Sequence, residues 1–177
     1  MDPDGEFPMG DKEYFFYLLF QAARQRDLAV EERLEDLGLN LPGWRALAVM
    51  RRIDDCTMKA LARYSTIDRT TLTRTVDQLV DHGHVERCVP ARDRRQVNLS
   101  LSGGGSETYD QAIARVMALN HEVLASIDPQ ELRIANRVIQ VVLCNIVADE
   151  ALAADLVSFG RTAPVAAKTA GAASEPA

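Results

Sequence analysis

The chain has 177 residues, with 20 Lys and Arg against 26 Asp and Glu, so its formal net charge is −6. A hydrophobic fraction of 47% with 26% charged residues is that of a globular protein and excludes a collagenous, wholly disordered or membrane class. The acidic balance at first argues against a nucleic-acid partner, because such proteins commonly carry a basic footprint. That argument holds only if the charge is spread evenly along the chain.

The cysteines and the N-terminus indicate a cytoplasmic protein. Cys56, Cys88 and Cys144 form neither a disulfide framework nor a Cys-x-x-Cys metal pair, so reduced thiols are expected. No apolar run reaches the length of about 18 residues that suggests a membrane span. The N-terminus has no basic segment followed by an apolar stretch, so it predicts no signal peptide. Residues 1–10 resemble a cloning-site remnant and are predicted to be a disordered tag.

The first half of the chain shows helical periodicity. A long helix is predicted over residues 11–36, followed by three shorter helices over 44–53, 57–64 and 68–82. The long helix is apolar almost all round near its start, so its own core or a second subunit must cover more than one of its faces. Gly83 stands where a helix commonly ends in a left-handed residue.

After Gly83 the pattern changes to short β-type runs. Residues 85–89 and 97–101 predict two strands, and the polar loop between them has the length of a hairpin connection. Two long helices follow, over about 106–126 and 128–159. The second starts at Asp128, with Pro129 at its first position and Glu131 placed to complete a capping box. The predicted fold is mainly α with a small β-hairpin wing, a winged helix-turn-helix flanked by helices at both ends.

The charge is not spread evenly. Residues 43–102 hold 11 Lys and Arg and seven acids, a net charge of +4, whereas the rest of the chain carries −10. A positive module within an acidic scaffold is typical of a DNA-binding protein with a separate assembly domain. Ten of the 11 cations are Arg, which suits bidentate contacts to guanine or phosphate. The alternative for some of these cations is that they lie on a solvated surface and bind no partner.

The helix over 68–82 has the features of a recognition helix. Its apolar residues lie within one arc, which predicts the face that packs on the core. Short hydroxyls and a guanidinium occupy the opposite arc near its start, whereas Asp77 and Asp81 farther along repel phosphate. The N-terminal end is therefore expected to enter the major groove. The residues of this helix predicted to bind DNA are Arg69, Thr70, Thr71, Thr73 and Arg74.

The loop between the two strands carries Arg92, Asp93, Arg94 and Arg95. Three guanidiniums at a hairpin tip can follow the DNA backbone and enter a narrow minor groove, where the potential is most negative. Asp93 is expected to hold a neighbouring Arg in one orientation. All four residues are predicted to belong to the DNA interface.

From about residue 41 to 105 the sequence resembles the MarR family of transcriptional regulators. The resemblance is densest over residues 68–83 and continues through Val85-Glu86-Arg87, the Asp-Arg-Arg loop and Leu101-Ser-x-x-Gly. It implies an obligate homodimer that binds a double-stranded, pseudo-palindromic operator, commonly as a repressor. It makes Arg95 the minor-groove arginine and Asp93 its brace. The first helix lacks the cysteine of the redox-sensing branch.

The resemblance also implies which segments of the chain form the dimer and which bind DNA. Residues 11–40 are predicted to form an N-terminal dimerisation helix, 41–102 the DNA-binding domain, 103–160 the C-terminal dimerisation helices and 161–177 a disordered tail. Effectors of the family, often aromatic carboxylates or other phenolics, lie between the dimer helices and the DNA module. The candidate ligand residues are Tyr14, Tyr17, Arg24, Trp44, Arg45 and Arg63. The alternatives to ligand binding are packing in the dimer core for Tyr14 and Tyr17, packing in the core of the DNA-binding module for Trp44, and simple exposure to solvent for Arg24 and Arg45.

An enzyme is not predicted. His82, His84 and His121 lie in no catalytic motif, and the glycine run lacks the Lys of a phosphate loop, so no catalytic residue, metal or cofactor is expected. An improvised metal site of His82, His84 and Cys88 is a minor alternative. The rival function is a winged helix that only docks proteins, which has no need for Arg on both helix and loop.

Overall fold

The computed structural model describes residues 10–89 and 97–161. The helices are α1 Asp11–Leu34, α2 Leu41–Met50, α3 Met58–Tyr64, α4 Arg69–Asp81, α5 Gly103–Leu124, α6 Pro129–Ile146 and α7 Glu150–Phe159. The strands are β1 Cys56–Thr57, β2 Val85–Cys88 and β3 Asn98–Leu101, and a 3-10 turn over Glu35–Leu37 follows α1. Residues 1–9 of the predicted tag, the loop over 90–96 and residues 162–177 of the predicted tail lie outside the described residues. Within the described ranges, no helix is long and apolar enough to cross a membrane.

The small sheet has three antiparallel strands in the order β1-β3-β2. β3 is central, and its Leu99 lies opposite Cys56 of β1 and Arg87 of β2. The predicted hairpin is therefore present as β2 and β3, and the winged helix-turn-helix fold is confirmed. β1 was not predicted, because a strand of two residues has no periodicity to reveal it.

Helix α2 lies at the centre of the hydrophobic core. Its N-cap residue Asn40 accepts a hydrogen bond from the backbone N–H of Gly43 at 2.8 Å, and Pro42 occupies its first turn. Most of the helix is apolar and buried, with Ala46 and Leu47 fully covered. Helices α1, α4 and α5 pack around it, and the two long helices α1 and α5 also pack on each other. This core joins the long helices to the winged module.

Helix α4, the predicted recognition helix, begins and ends as the sequence predicts. The carboxylate of Asp68 caps it, accepting hydrogen bonds from the N–H groups of Thr70 at 3.1 Å and Thr71 at 3.0 Å. Gly83 follows its end with a φ of +73°, which a residue with a Cβ adopts only at a cost. The predicted core arc is buried at Leu72, Val76 and Leu79 and half-buried at Val80.

The C-terminal helices differ from the prediction in two ways. The single helix expected over 128–159 is divided into α6 and α7, and Asp149 caps α7 by accepting a hydrogen bond from the N–H of Leu152 at 3.0 Å. The single-helix prediction was wrong because no Gly or Pro marks the break. Helix α5 starts earlier than expected, since Ser102 caps it and the glycine run forms its first turn. The capping box of Asp128 and Glu131 is present as predicted.

Gly105 allows α5 to lie against the chain that leads into β2. A Cβ placed on Gly105 would lie 1.8 Å from the carbonyl oxygen of His84, whereas one on Gly103 would meet nothing within 4 Å. We expect Gly105→Ala to lower the free energy of unfolding by about 1–3 kcal/mol, because backbone must move to admit the methyl group. Gly103→Ala is the matched control and should leave stability unchanged or slightly raised. Urea denaturation measures both, and equal effects would contradict the close approach.

The three cysteines differ in exposure, which predicts different reactivity. Cys56 is fully buried in β1, and burial raises the pKa of its thiol to about 11, while Cys88 is exposed. At pH 8 we expect a disulfide reagent to label Cys88 rapidly and Cys56 only after unfolding, because the thiolate is the reactive form. Cys144 is exposed as well, so rates measured on Cys144→Ser, with Cys56→Ser or Cys88→Ser added to it, assign the reaction to each thiol. Rapid labelling of Cys56 in the folded protein is the contrary result.

Candidate nucleic-acid interface

The solvent-facing side of α4 presents the residues predicted to bind DNA. Because Leu72 and Val76 hold the opposite arc in the core, Arg69, Thr70, Thr73 and Arg74 are all exposed. Thr73 donates a hydrogen bond from its exposed hydroxyl to the carbonyl oxygen of Arg69 at 3.2 Å, and the hydroxyl oxygen can still accept one. The first two turns of α4 therefore form an accessible surface of hydroxyls and guanidiniums.

Thr71 is placed differently from its predicted neighbours. It is half-buried, and the hydrogen bond from its side chain is the first cause of the lowered pKa of Asp68; the backbone N–H groups of Thr71 and Thr70 also contribute. The hydroxyl of Thr71 thus contributes to the N-cap of α4. Thr70 and Thr73 have the more open positions on this helix.

The structure separates the cations of the winged module into paired and unpaired groups. Four of its described arginines are held by carboxylates: Arg45 by Asp27, Arg51 by Asp110, Arg63 by Asp155 and Arg87 by Asp77. Among the described residues, Lys59, Arg69 and Arg74 form no ion pair, and all three are exposed. Arg52 also forms no ion pair among the described residues, but it is half-buried and donates a hydrogen bond to the carbonyl oxygen of Ala48. The exposed cations of the described module that form no ion pair therefore lie on α3 and the first two turns of α4.

A cleft of about 920 Å³ lies between α3, α4 and the two strands of the hairpin. Lys59 of α3 and Arg69 and Thr73 of α4 line it, together with Arg87 of β2. Sequence reasoning missed Lys59, because a single lysine in a seven-residue helix gives no sign of what it faces. Only the cleft that α3 and α4 line together brings the charge of Lys59 near the start of α4.

Asp77 also has a role that the sequence did not show. Its carboxylate accepts a charged hydrogen bond from Arg87, so its negative charge is compensated within the module. The pair joins the recognition helix to β2, one of the two strands at the base of the wing. Arg92, Asp93, Arg94 and Arg95 themselves lie outside the described residues, beyond the last strand pair of Cys88 and Asn98.

The six predicted ligand residues do not come together within one chain. Tyr14 and Tyr17 stack on each other on the exposed side of α1 with ring centroids 6.4 Å apart, and Arg24 is exposed on the same helix. Trp44 is buried and stacks on Tyr109 of α5 at 5.7 Å, so it belongs to the core. None of the six lines the cleft beside α4 or a second cleft of about 780 Å³ between α6 and α7.

The paired histidines have a structural explanation. The rings of His82 and His84 stack with centroids 6.3 Å apart, and Nδ1 of His82 lies 2.6 Å from the carbonyl oxygen of Gln78. Burial, and then the neighbouring His82, lowers the pKa of His84. In the part of the chain that the structure describes, no group of three His, Cys, Asp or Glu residues could hold a metal ion.

Comparison with known proteins agrees with this architecture. Residues 37–96 match the model of the MarR family. The uncharacterised HTH-type transcriptional regulator YwoH of Bacillus subtilis is 27% identical over 112 residues, which cover 63% of this chain and 81% of YwoH. A MarR family regulator from Silicibacter pomeroyi superimposes with a TM-score of 0.69 at 26% identity, over 80% of this chain and 95% of that one. A mutant of MarR from E. coli, complexed with operator DNA, superimposes with a TM-score of 0.66 at 26% identity, over 72% and 91%.

The fold is that of a winged-helix protein, and these relatives are named as transcriptional regulators. More specifically, the chain is similar to the MarR family of transcriptional regulators, whose model matches residues 37–96.

Proposed function

We propose that this protein is a homodimeric, sequence-specific DNA-binding regulator that inserts the start of α4 into the major groove of its operator. The observation that carries the proposal is the uncompensated charge of Lys59, Arg69 and Arg74 beside the exposed hydroxyls of Thr70 and Thr73. Guanidiniums and hydroxyls are the groups that bind phosphates and base edges. The operator complex of the E. coli relative, which has the same fold, supports this assignment.

Within the interface, each group has a chemical task. Arg74 has the length to bind guanine O6 and N7 with two hydrogen bonds, whereas Thr70 and Thr73 offer short hydroxyls and methyl groups to neighbouring bases. Lys59 and Arg69 flank the cleft and suit phosphate contacts that position the helix. Arg95 is proposed to enter the minor groove with Asp93 as its brace. The pair of Arg87 and Asp77, which ties β2 to α4, supports a fixed distance between the two contacts.

The homodimer is proposed from the apolar surface that one chain leaves uncovered. On α1 the exposed fractions of Phe16 and Phe20 are 50% and 64%, and on α6 those of Ile134 and Ile146 are 58% and 66%. Apolar surface of this extent commonly marks a protein interface. Two recognition helices related by a two-fold axis read a pseudo-palindromic operator, because the symmetry of the DNA must match that of the protein.

Repression and release by a small aromatic acid are the finer part of the proposal. They follow from the family resemblance, and the six predicted ligand residues are separated in the single chain. A site formed by Tyr14, Tyr17 or Arg24 on α1 would therefore need residues of the second subunit to close it. Transcription in vitro from the operator-containing promoter, with and without benzoate-type acids, tests both statements.

Arg74→Ala should weaken operator binding by about tenfold to a hundredfold, which corresponds to a lost specific contact of about 1–3 kcal/mol. Arg133→Ala on α6 removes another exposed arginine and is the control, expected to bind as the parent does. Gel-shift titration on the DNA upstream of the gene measures both affinities. Circular dichroism and size-exclusion chromatography confirm that fold and assembly are retained. Equal affinities for the two variants would refute the proposed role of α4.

Arg95→Ala should weaken operator binding strongly while the dimer stays intact. The affinity of the parent should fall steeply with log salt concentration, because cations of the protein release counterions from phosphates. A variant that loses one phosphate contact, such as Lys59→Ala, should show a slope shallower by about one. Fluorescence anisotropy over a range of salt concentrations measures these slopes. A salt-independent affinity, or an unchanged slope for Lys59→Ala, goes against the proposed contacts.

A further inference from the structure

Helix α7 is attached to the DNA-binding module at the end of α3. The hydroxyl of Tyr64 donates a hydrogen bond to Oδ2 of Asp155 at 2.6 Å, and a guanidinium nitrogen of Arg63 lies 2.7 Å from the same oxygen. The ring of Phe159, one turn farther along α7, stacks on Tyr64 with centroids 4.0 Å apart and planes at 13°. Together these residues form the α3–α7 contact.

The α3–α7 contact defines one geometry more strictly than a surface ion pair does. An exposed ion pair contributes little by itself, because two long side chains lose entropy to form it. Here one carboxylate binds a phenol and a guanidinium at the same time, while the stacked rings fix the position of Tyr64. The hydrogen bond with Asp155 also raises the pKa of Tyr64, so the phenol stays protonated and remains a donor. Three interactions thus restrain the same pair of helices.

The position of this contact in the fold gives it a consequence for DNA binding. Helix α3 lies beside α4 and contributes Lys59 to the cleft at the start of the recognition helix. Helix α7 belongs to the C-terminal helices and packs on α6, whose apolar face is exposed. The α3–α7 contact therefore connects the helices that meet DNA with those that carry the uncovered apolar surface. Trp44 on Tyr109 is a second connection, deeper in the core.

We propose that Tyr64, Asp155 and Phe159 are positioning residues for DNA binding. The contact they form holds the α3–α4 pair at one angle to the C-terminal helices and so sets the separation of the two recognition helices in the dimer. This inference rests on the proposed function. It extends that function by naming residues outside the DNA-facing surface that determine which half-site spacing is bound.

The expected signature is a change in spacing discrimination. Two recognition helices of a dimer must reach successive major grooves, about 34 Å apart, so a rigid dimer binds poorly when the half-sites are moved. Loosening the α3–α7 contact lets each module rotate toward a displaced half-site. The variant then binds the natural operator less tightly than the parent does, because its modules are no longer held at the matching separation. Its affinity for an operator with altered spacing falls by a smaller factor.

The test uses the full-length protein and two DNAs, the operator and the same operator with two base pairs inserted between its half-sites. For the parent we expect the insertion to cost about a hundredfold in affinity, since binding through both half-sites requires their spacing to match. For Asp155→Ala we expect the insertion to lower the affinity by about tenfold or less, and we expect the natural operator to be bound more weakly than by the parent. Glu150→Ala removes another exposed carboxylate of α7, one without an ion pair among the described residues, and should behave as the parent.

Further variants separate positioning from a general loss of stability. Tyr64→Phe removes the hydroxyl but keeps the ring for Phe159, so it should show part of the effect of Asp155→Ala. Asp155→Asn keeps an acceptor for Tyr64 and should retain more discrimination than Asp155→Ala. A purely structural role would instead lower the melting temperature and weaken both DNAs in parallel, which leaves their affinity ratio at the parental value.

The outcomes distinguish this inference from the function on which it depends. If the parent binds no operator DNA, the proposed function is overturned and this inference with it. If the parent binds and discriminates spacing, but Tyr64→Phe and Asp155→Ala keep the parental ratio, the positioning role alone is overturned. If Asp155→Ala fails to fold, the ratio measured for Tyr64→Phe decides.

Discussion

The burial of helix α2 is the constraint on which the other elements depend. Ala46 and Leu47 are fully covered, and most of the remaining helix is buried as well. A helix that is apolar on nearly all sides must be enclosed, and α1, α4 and α5 enclose it. Because the apolar arc of α4 is committed to this core, Arg74 and its polar neighbours are turned to solvent. The surface proposed to read DNA is thus a consequence of how the core is filled.

Ion pairing then decides which positive charges remain available. The winged module carries more cations than acids, but several of its arginines bind carboxylates: Arg45 is held by Asp27 of α1 and Arg87 by Asp77 of α4. Such pairs orient elements relative to one another and leave little net charge at their positions. Lys59, Arg69 and Arg74 form no ion pair among the described residues, so a local excess of charge develops beside the recognition helix. The net charge of each segment suggests which kind of partner binds, and the ion pairs indicate where on the module the proposed DNA interface lies.

The same contacts tie the proposed DNA-facing elements to the rest of the molecule. Arg87 and Asp77 join the base of the wing to α4, and Trp44 stacks on Tyr109 between α2 and α5. Tyr64 and Asp155 join α3 to α7 across 91 positions of the chain. A regulator that reads two half-sites needs such links, because the separation of its recognition helices is part of what it recognises. In the proposed function, the acidic flanking helices repel DNA, so contact is expected only at the winged module.

The sequence by itself determined the winged-helix architecture, the limits of α4 and the polarity of its two faces. These follow from short-range physics: the apolar period of a helix, the cap at Asp68, the left-handed residue at Gly83 and the alternation of β3. Only the tertiary structure decided that Trp44 is core, that a break at Asp149 creates α7, and that Lys59 lines the same cleft as Arg69 and Thr73. Those outcomes depend on contacts between residues far apart in the chain, and no local pattern records them. Net charge shows the difference most clearly. The sequence specifies a net charge of −6, but which charged side chains remain unpaired depends on which of them meet in space.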